Sequence, residues 1–384
     1  MHRPTAARSL CSVLAVLALA VVTTACGTAE PDRRTRAKGS PVQLVWGYKP
    51  PADGTSSSTL YAHYANFILT RNDEAYRNRL VARGAAPPLM YVRFDAVLRP
   101  LGGRPPLQNN VADRPGDVER LLAEHRSWFL RDAAGDPIVD SDLHGYAAYL
   151  MDPGNTGWQQ HWISTVRARY DAEGWRGGVF LDNVELSLKK RIRVGHRPAR
   201  YRTDAAYFGD VASMLEAISA KWAERDDVAL IANTIESTYG DLRNPATVDR
   251  WTDGWMEEGF ATSWRPGTWR TPEEWMWQLD KVTRAVEAGD KVFLFSQGAR
   301  DDQARQRFAL ASYLLVAKTG FTFFRYVDYR AGYSHDWQYD DYTVRLGSPK
   351  GNRYRSGATA WRRDFGNGTV IVDPATHRAT ITVR

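Results

Sequence analysis

Short apolar runs alternate with longer amphipathic stretches along most of the chain. The apolar runs are rich in β-branched and aromatic residues, and there are eight of them: QLVWGY (43–48), ANFILTR (65–71), PLMYVRF (88–94), GGVFLDNV (177–184), DVALIANT (227–234), GWMEEGF (254–260), KVFLFS (291–296) and GFTFFRY (320–326). Stretches with helical periodicity lie between them, over residues 73–83, 156–170, 204–224, 271–288 and 301–318. This alternation predicts a parallel sheet covered by helices.

The number of units predicts how the sheet is arranged. Eight β/α units within residues 41–327 match an α/β fold of the (β/α)8 barrel type, with an insertion of about 80 residues between the third and fourth strands. A doubly wound sheet is the alternative, but the glycine-rich fingerprint and the P-loop that often accompany it are absent from the sequence. Residues 328–384 change to short alternating segments, which predict a small β-rich region with a hairpin from Thr369 to Val383.

The N-terminus has the layout of an export signal. Residues 1–25 combine a basic start with an apolar run from Leu10 to Val22, which is too short for an ordinary transmembrane helix. The segment VTTAC, which ends at Cys26, resembles a bacterial lipobox. We therefore expect Cys26 to carry a lipid anchor in the cell membrane and residues 26–40 to form a flexible tether. Plain secretion after cleavage nearby is the alternative, and both place the protein outside the cytoplasm.

The amino-acid composition and the absence of certain motifs argue against several classes of ligand and catalytic site. The excess of 51 Lys and Arg over 44 Asp and Glu is spread along the chain, and 14 Trp, 18 Tyr and 13 Phe favour a sugar or protein ligand over nucleic acid. The only cysteines are Cys11 and Cys26, so the domain after the signal has no thiol. The histidines lack HExxH and HxH spacing and no GxSxG motif is present, which argues against a zinc hydrolase and a serine esterase. We expect no cofactor and no metal, although Asp and Asn oxygens can hold a cation without any fixed spacing.

Polar side chains interrupt or follow the apolar runs, where a barrel places its functional groups. We predict that one set of them binds the substrate at the barrel mouth: Tyr48, Arg93, Asp95, Asn183, Asn233, Glu257, Gln297 and Arg325. Acids, amides and aromatic rings that converge on one mouth are typical of sites for hydroxyl-rich ligands.

Asp182 and Glu258 are the predicted catalytic pair. Each follows apolar strand residues, where an unpartnered acid would cost several kcal/mol, so a functional site explains them. A structural salt bridge with Arg93 or Arg325 is the alternative. Glu257 and Glu258 are adjacent, so only one of them can face the barrel axis, and we predict that Glu258 does.

Four segments carry a resemblance to a known family: YLMDPGNTGWQQHW, GWRGGVFLDNVE, DGWMEEGF and RRDFGNGTVIVDP. Over residues 43–375 the chain resembles the glycoside-hydrolase-like barrel proteins of bacteria, many of them lipoproteins, and is more distantly similar to the endo-polygalactosaminidase type of barrel. The resemblance implies a glycosidase. In barrels with the nucleophile on strand four and the acid/base on strand six, the matching positions are Asp182 and Glu258.

These features together predict an exported glycoside hydrolase that acts on an extracellular or cell-envelope polysaccharide. Asp182 would be the nucleophile or base, and Glu258 a general acid kept protonated by burial. The basic stretch over residues 189–202 is either a clamp for an anionic polymer or a solvated loop. The alternative function is a non-catalytic envelope protein that binds glycan in its barrel mouth.

Overall fold

The computed structural model describes residues 40–140, 145–188, 195, 197–225, 228–235, 248–264, 267–328 and 333–384. The predicted signal, Cys26, nearly all of the tether and part of the basic stretch lie outside these residues. Among the helices that are described, none is long and apolar enough to cross a membrane.

Eight parallel strands form the predicted barrel. They are β1 (Val45–Gly47), β2 (Asn66–Leu69), β3 (Leu89–Arg93), β7 (Val179–Glu185), β8 (Leu230–Ile235), β9 (Gly254–Glu257), β10 (Lys291–Gln297) and β11 (Thr322–Val327). They pair in that order. The first and last strands then meet, because the amide of Phe324 donates to the carbonyl of Gln43 at 2.8 Å and Leu44 bridges Phe324 in parallel. This closure confirms the (β/α)8 prediction over the doubly wound alternative.

Seven α-helices connect and cover the strands. They are α1 (Ser57–His63), α2 (Glu74–Ala82), α3 (Asp117–Glu124), α4 (Thr156–Ala172), α5 (Asp204–Trp222), α6 (Pro272–Ala288) and α7 (Gln303–Val316), as far as the described residues show. The start of α6 illustrates how local sequence sets a boundary. The Thr271 hydroxyl accepts from the amide of Glu274 at 3.2 Å, the Glu274 carboxylate accepts from the amide of Thr271 at 3.0 Å, and Pro272 occupies the first helical position.

The insertion between β3 and β7 forms a small antiparallel sheet of its own. Its strands, in the order β4-β6-β5, are β4 (Ala96–Pro100), β5 (Val139–Asp140) and β6 (Tyr146–Leu150). The insertion is tied to the end of β3 by two backbone hydrogen bonds, from Met151 to Asp95 at 2.9 Å and from Arg93 to Asn109 at 2.7 Å. The insertion therefore extends from the carboxyl ends of the barrel strands.

The C-terminal region is a four-stranded antiparallel sheet. It contains β12 (Tyr354–Arg355), β13 (Trp361–Phe365), β14 (Gly368–Asp373) and β15 (Arg378–Val383), so the predicted hairpin is present as β14 and β15. The sheet packs on α7. There the buried Arg363 guanidinium donates to the carbonyls of Leu314 and Ala317 at 3.0 and 2.9 Å.

Alternation along the strands divides the core into two parts. The interior of the barrel is filled by one apolar cluster: Val45, Ile68, Leu89, Tyr91, Phe180, Ile231, Met256, Phe293, Phe295, Phe323 and Val327. Their neighbours along the strands, such as Trp46 and Trp255, pack outwards in the larger cluster that includes the helices. Because side chains on one face recur every second residue, interior residues predict which polar side chains at the strand ends also face inwards.

Candidate functional site

A cavity of about 220 Å³ lies at the carboxyl ends of the barrel strands. Both predicted catalytic residues, Asp182 and Glu258, line it, and so do three of the predicted substrate contacts, Tyr48, Arg93 and Asn183. Tyr91, Phe180, Met256 and Phe295 form apolar walls below and beside them. The cavity therefore combines an apolar base with two carboxyl groups at its rim.

Asp182 is held by hydrogen bonds from its two neighbouring strands. It lies two residues after the interior Phe180 on the fourth barrel strand, and its side chain is buried. The Tyr91 hydroxyl on β3 donates to one carboxylate oxygen, and the Asn233 amide on β8 donates to the other at 3.0 Å. Both oxygens thus accept a hydrogen bond, which fixes the orientation of the carboxyl group.

Glu258 follows the sixth barrel strand, two residues after the interior Met256. It is partly exposed, and its Oε1 accepts a hydrogen bond of 2.7 Å from the hydroxyl of Tyr333. Glu257 lies on the other face of β9, where its carboxylate is 3.9 Å from the Arg270 guanidinium. The predicted orientation of Glu258 therefore agrees with the structure, whereas Glu257 lies outside the cavity that it was predicted to line.

Three tyrosines surround the two carboxyl groups. The rings of Tyr48 and Tyr91 stack with centroids 4.7 Å apart, and Tyr333 lies 6.1 Å from Tyr48. Burial, together with the nearby charges of Asp182 and Glu258, raises the pKa of Tyr48 to about 12. Burial also raises the pKa of the Tyr91 and Tyr333 hydroxyls. The charge of Asp182 adds to the shift of Tyr91, and the charge of Glu258 adds to the shift of Tyr333. All three therefore remain neutral hydrogen-bond donors at physiological pH.

Arg93 supplies a positive charge beside the pair. Its side chain contacts Asp95, with 2.9 Å between Nε and Oδ1. Burial by itself would lower the pKa of the Arg93 guanidinium, but the charges of Asp95 and Asp182 raise it overall. The ion pair of Arg93 is thus with Asp95, which is buried behind the cavity wall and does not line the cavity.

Three other predicted substrate contacts instead support the site from behind. Asn233 positions Asp182, and Gln297 donates to the carbonyl of Glu258 at 3.5 Å and to the Tyr333 hydroxyl at 3.4 Å. None of Asn233, Gln297 and Arg325 lines the described cavity. Each follows an interior apolar residue by two positions along its strand, and each is buried.

Arg325 is nearly as enclosed as Asn233 and Gln297. Only 3% of it is exposed, and its guanidinium donates to the carbonyls of Gly47 at 2.6 Å, Tyr333 at 2.8 Å and His335 at 3.1 Å. The same group lies 4.0 Å from the Trp46 ring centroid. Arg325 thus joins β1 to the segment that carries Tyr333.

Sequence reasoning missed Tyr91 and Tyr333. Tyr91 lies inside an apolar run, but it shares its face with Arg93, and this two-residue spacing is a signal that could have identified it. Tyr333 is 75 residues from Glu258 and follows the last barrel strand, so no local pattern connects it with the site.

Among the described residues, no group of three or more His, Cys, Asp or Glu side chains is placed to hold a metal ion.

Several solved structures resemble part of this chain. The glycoside hydrolase domain of PelA from Pseudomonas aeruginosa is 15% identical over 74% of this chain and 94% of that chain, with a TM-score of 0.45. Trehalose-6-phosphate hydrolase from Bacillus licheniformis is 12% identical over 74% of this chain and 64% of that chain, with a TM-score of 0.46. The α-galactosidase from Thermus thermophilus is 15% identical over 88% of this chain and 67% of that chain, with a TM-score of 0.44.

The sequence comparisons supply the family. No curated protein matches the chain. A family model described as hypothetical glycosyl hydrolase family 15 matches residues 105–369. This match covers most of the barrel, including Asp182, Glu258 and Tyr333, together with part of the C-terminal sheet. The chain belongs to hypothetical glycosyl hydrolase family 15.

Proposed function

We propose that the protein is an exported glycoside hydrolase that cleaves a polysaccharide with Asp182 and Glu258. One observation carries the proposal: carboxyl groups from the fourth and sixth barrel strands line the same cavity. Hydrolysis of a glycosidic bond needs one carboxylic acid and one carboxylate flanking the scissile bond. A cavity with two such groups and neutral tyrosine donors suits that reaction.

Asp182 suits the role of nucleophile or base. Tyr91 and Asn233 occupy one lone pair on each of its oxygens and fix the plane of the carboxylate. In a retaining reaction, Asp182 attacks the anomeric carbon as the bond to the leaving oxygen breaks. Water then hydrolyses the glycosyl ester. In an inverting reaction, Asp182 instead takes a proton from the attacking water.

Glu258 suits the role of general acid. Tyr333 binds Oε1 and so fixes the orientation of the carboxyl group. The proton of Glu258 passes to the glycosidic oxygen as the bond to the anomeric carbon breaks, which avoids an alkoxide leaving group. Tyr48, with its neutral hydroxyl and its ring in the cavity wall, is placed to contact the sugar in this site.

The test is product release from a panel of bacterial envelope and extracellular glycans, measured as reducing ends and by mass spectrometry. We expect Asp182→Asn and Glu258→Gln to abolish turnover while the protein stays folded. Glu257→Gln is the matched control, because it changes a neighbouring carboxylate outside the cavity, and it should keep near-normal turnover. Near-normal rates in Asp182→Asn or Glu258→Gln would refute the assignment, and glycan binding without cleavage by the parent protein would favour the non-catalytic alternative.

Export and lipid anchoring are the second part of the proposal, and the sequence of residues 1–26 supports them. Expression of the full chain in a bacterium with lipoprotein processing should place it in the membrane fraction, labelled by radioactive palmitate. Cys26→Ala should lose the label. Label retained in that variant, or protein found only in the cytoplasm, would refute the anchor.

A further inference from the structure

A second, larger cavity lies on the outside of the barrel. It has a volume of about 580 Å³, against about 220 Å³ for the cavity at the mouth. One wall is the N-terminal half of α6, and the other is the C-terminal sheet together with its loops. We refer to it as the α6 groove. It shares no lining residue with the catalytic cavity.

The walls of the α6 groove are fixed to each other. The Arg353 guanidinium, which precedes β12, forms an ion pair with Asp280 and donates to the Thr283 hydroxyl at 2.6 Å, both on α6. Arg363 fixes the same sheet to the carbonyls at the end of α7. The groove is therefore preformed, and a ligand would not have to order its walls on binding.

The lining combines flat aromatic rings with charged groups. Trp277 on the helix and Trp361 on the sheet are both partly exposed, one on each wall. Glu273, Arg355 and Thr359 are exposed at the same groove. An indole face packs against the C–H face of a pyranose ring, and carboxylate and guanidinium groups bind its hydroxyls. A lipid chain would instead cover these charged groups without pairing them.

The α6 groove begins towards the same end of the barrel as the catalytic cavity. In a (β/α)8 barrel each loop that leaves the carboxyl end of a strand leads to the N-terminus of the next helix, so the start of α6 lies towards the catalytic end. The connection from Glu258 to α6 carries Trp264, which is 46% exposed. The Trp264 ring lies close to Gly259, the neighbour of Glu258, because a Cβ atom at that glycine would be 3.6 Å from the ring. An exposed aromatic ring thus lies between the mouth and the groove along the chain.

We propose that the α6 groove is a second glycan-binding site, which holds a stretch of the polysaccharide chain outside the catalytic cavity. The assignment rests on the proposed function for the choice of a glycan as the ligand. Binding there would keep a polymer close to the mouth between cleavage events, which raises its effective concentration at the catalytic site.

Binding by the Asp182→Asn protein, which leaves the probe uncleaved, tests the site. The probes are biotinylated dextran, chitosan and polygalacturonate, which are neutral, cationic and anionic, and binding is measured by biolayer interferometry. We expect at least one probe to bind, and Trp277→Ala and Ala358→Trp each to weaken it about tenfold or more. Ala358→Trp fills the groove while keeping both indoles, so its loss of binding would not result from a lost core contact. Tyr354→Ala is the matched control, because it removes an exposed ring of the same sheet that does not line the groove.

Equal affinity of the parent and both groove variants would overturn the assignment, and so would an absence of binding to all three probes. Turnover is measured separately on the protein with Asp182 intact. A protein that cleaves no glycan but loses binding in both groove variants would refute the proposed function and support the second site.

Discussion

Replacement of Arg325 by methionine tests whether this residue is structural or contacts the substrate. The methionine retains most of the apolar stem and removes the guanidinium. In the structure that guanidinium holds the carbonyls of Gly47, Tyr333 and His335, and it lies over the Trp46 ring. All four groups would lose their contact with Arg325 at once.

The expected cost follows from these contacts. A buried carbonyl left without a partner costs about 1–3 kcal/mol, so three of them set a range of about 3–9 kcal/mol. Two effects reduce it: water can enter the vacated space, and burial, which lowers the pKa of the Arg325 guanidinium, already penalises the charge that is removed. We therefore expect a loss of about 3–5 kcal/mol, a large part of the stability of an ordinary domain.

Chemical denaturation followed by tryptophan fluorescence measures this loss, with thermal unfolding as a second readout. Arg307→Met is the matched control, because Arg307 forms an ion pair with Asp341 at 2.8 Å while about half of its side chain is exposed. That pair should contribute about 0–1 kcal/mol. A loss of stability in Arg325→Met no larger than that in Arg307→Met would refute the structural role. Unchanged stability with abolished glycan binding would instead support Arg325 as a substrate contact.

Three further predictions concern single side chains. Burial, together with the charges of Asp249 and Asp253, raises the pKa of Asp290 from 3.8 to about 6. The folded state therefore holds this proton more tightly than the unfolded state does. As a result, the stability falls as the pH rises from about 4 to about 6. Asp290→Asn should therefore raise the Tm at pH 7 and leave it unchanged below about pH 4, and an equal gain at both values would contradict this linkage. Tyr333→Phe removes the donor to Glu258 and should lower kcat about 10- to 100-fold with little change in Tm. The carboxylate that forms as Glu258 gives up its proton would lose a hydrogen bond, and such a bond to a charged group contributes about 1.5–3 kcal/mol. Tyr91→Phe should have a similar effect through Asp182, and rates within twofold of the parent protein in either variant would show that these hydroxyls do not position the carboxyl groups.

The strands could be predicted from local sequence because buried positions recur with the period of the element. The start of a helix could be predicted because its capping residues lie next to each other in the chain. All eight predicted barrel strands are present, and α6 begins where Thr271, Pro272 and Glu274 indicate. The sheet formed by β4, β5 and β6 could not be predicted in the same way. β4 ends in a proline, β6 contains two alanines and β5 has only two residues, so strand formation there depends on pairing partners rather than on propensity.

The location of the candidate site was predictable, and its detail only in part. Asp182 and Glu258 follow apolar runs, and this position predicted that both lie at the strand ends, where they line one cavity. The choice between Glu257 and Glu258 depended on which face of β9 packs inside the barrel, and the interior position of Met256 decides it. Arg325 also follows an interior residue, but its guanidinium binds the carbonyls of distant segments and does not line the cavity.

The sequence by itself thus determined the number and order of the barrel strands, the carboxyl groups at their ends and the C-terminal hairpin, since each depends on residues close together in the chain. Only the tertiary structure decided the partners of those carboxyl groups. Tyr91 reaches Asp182 across 91 positions and Tyr333 reaches Glu258 across 75. Contacts between such distant residues result from barrel closure and loop packing, and no local period of the sequence records them.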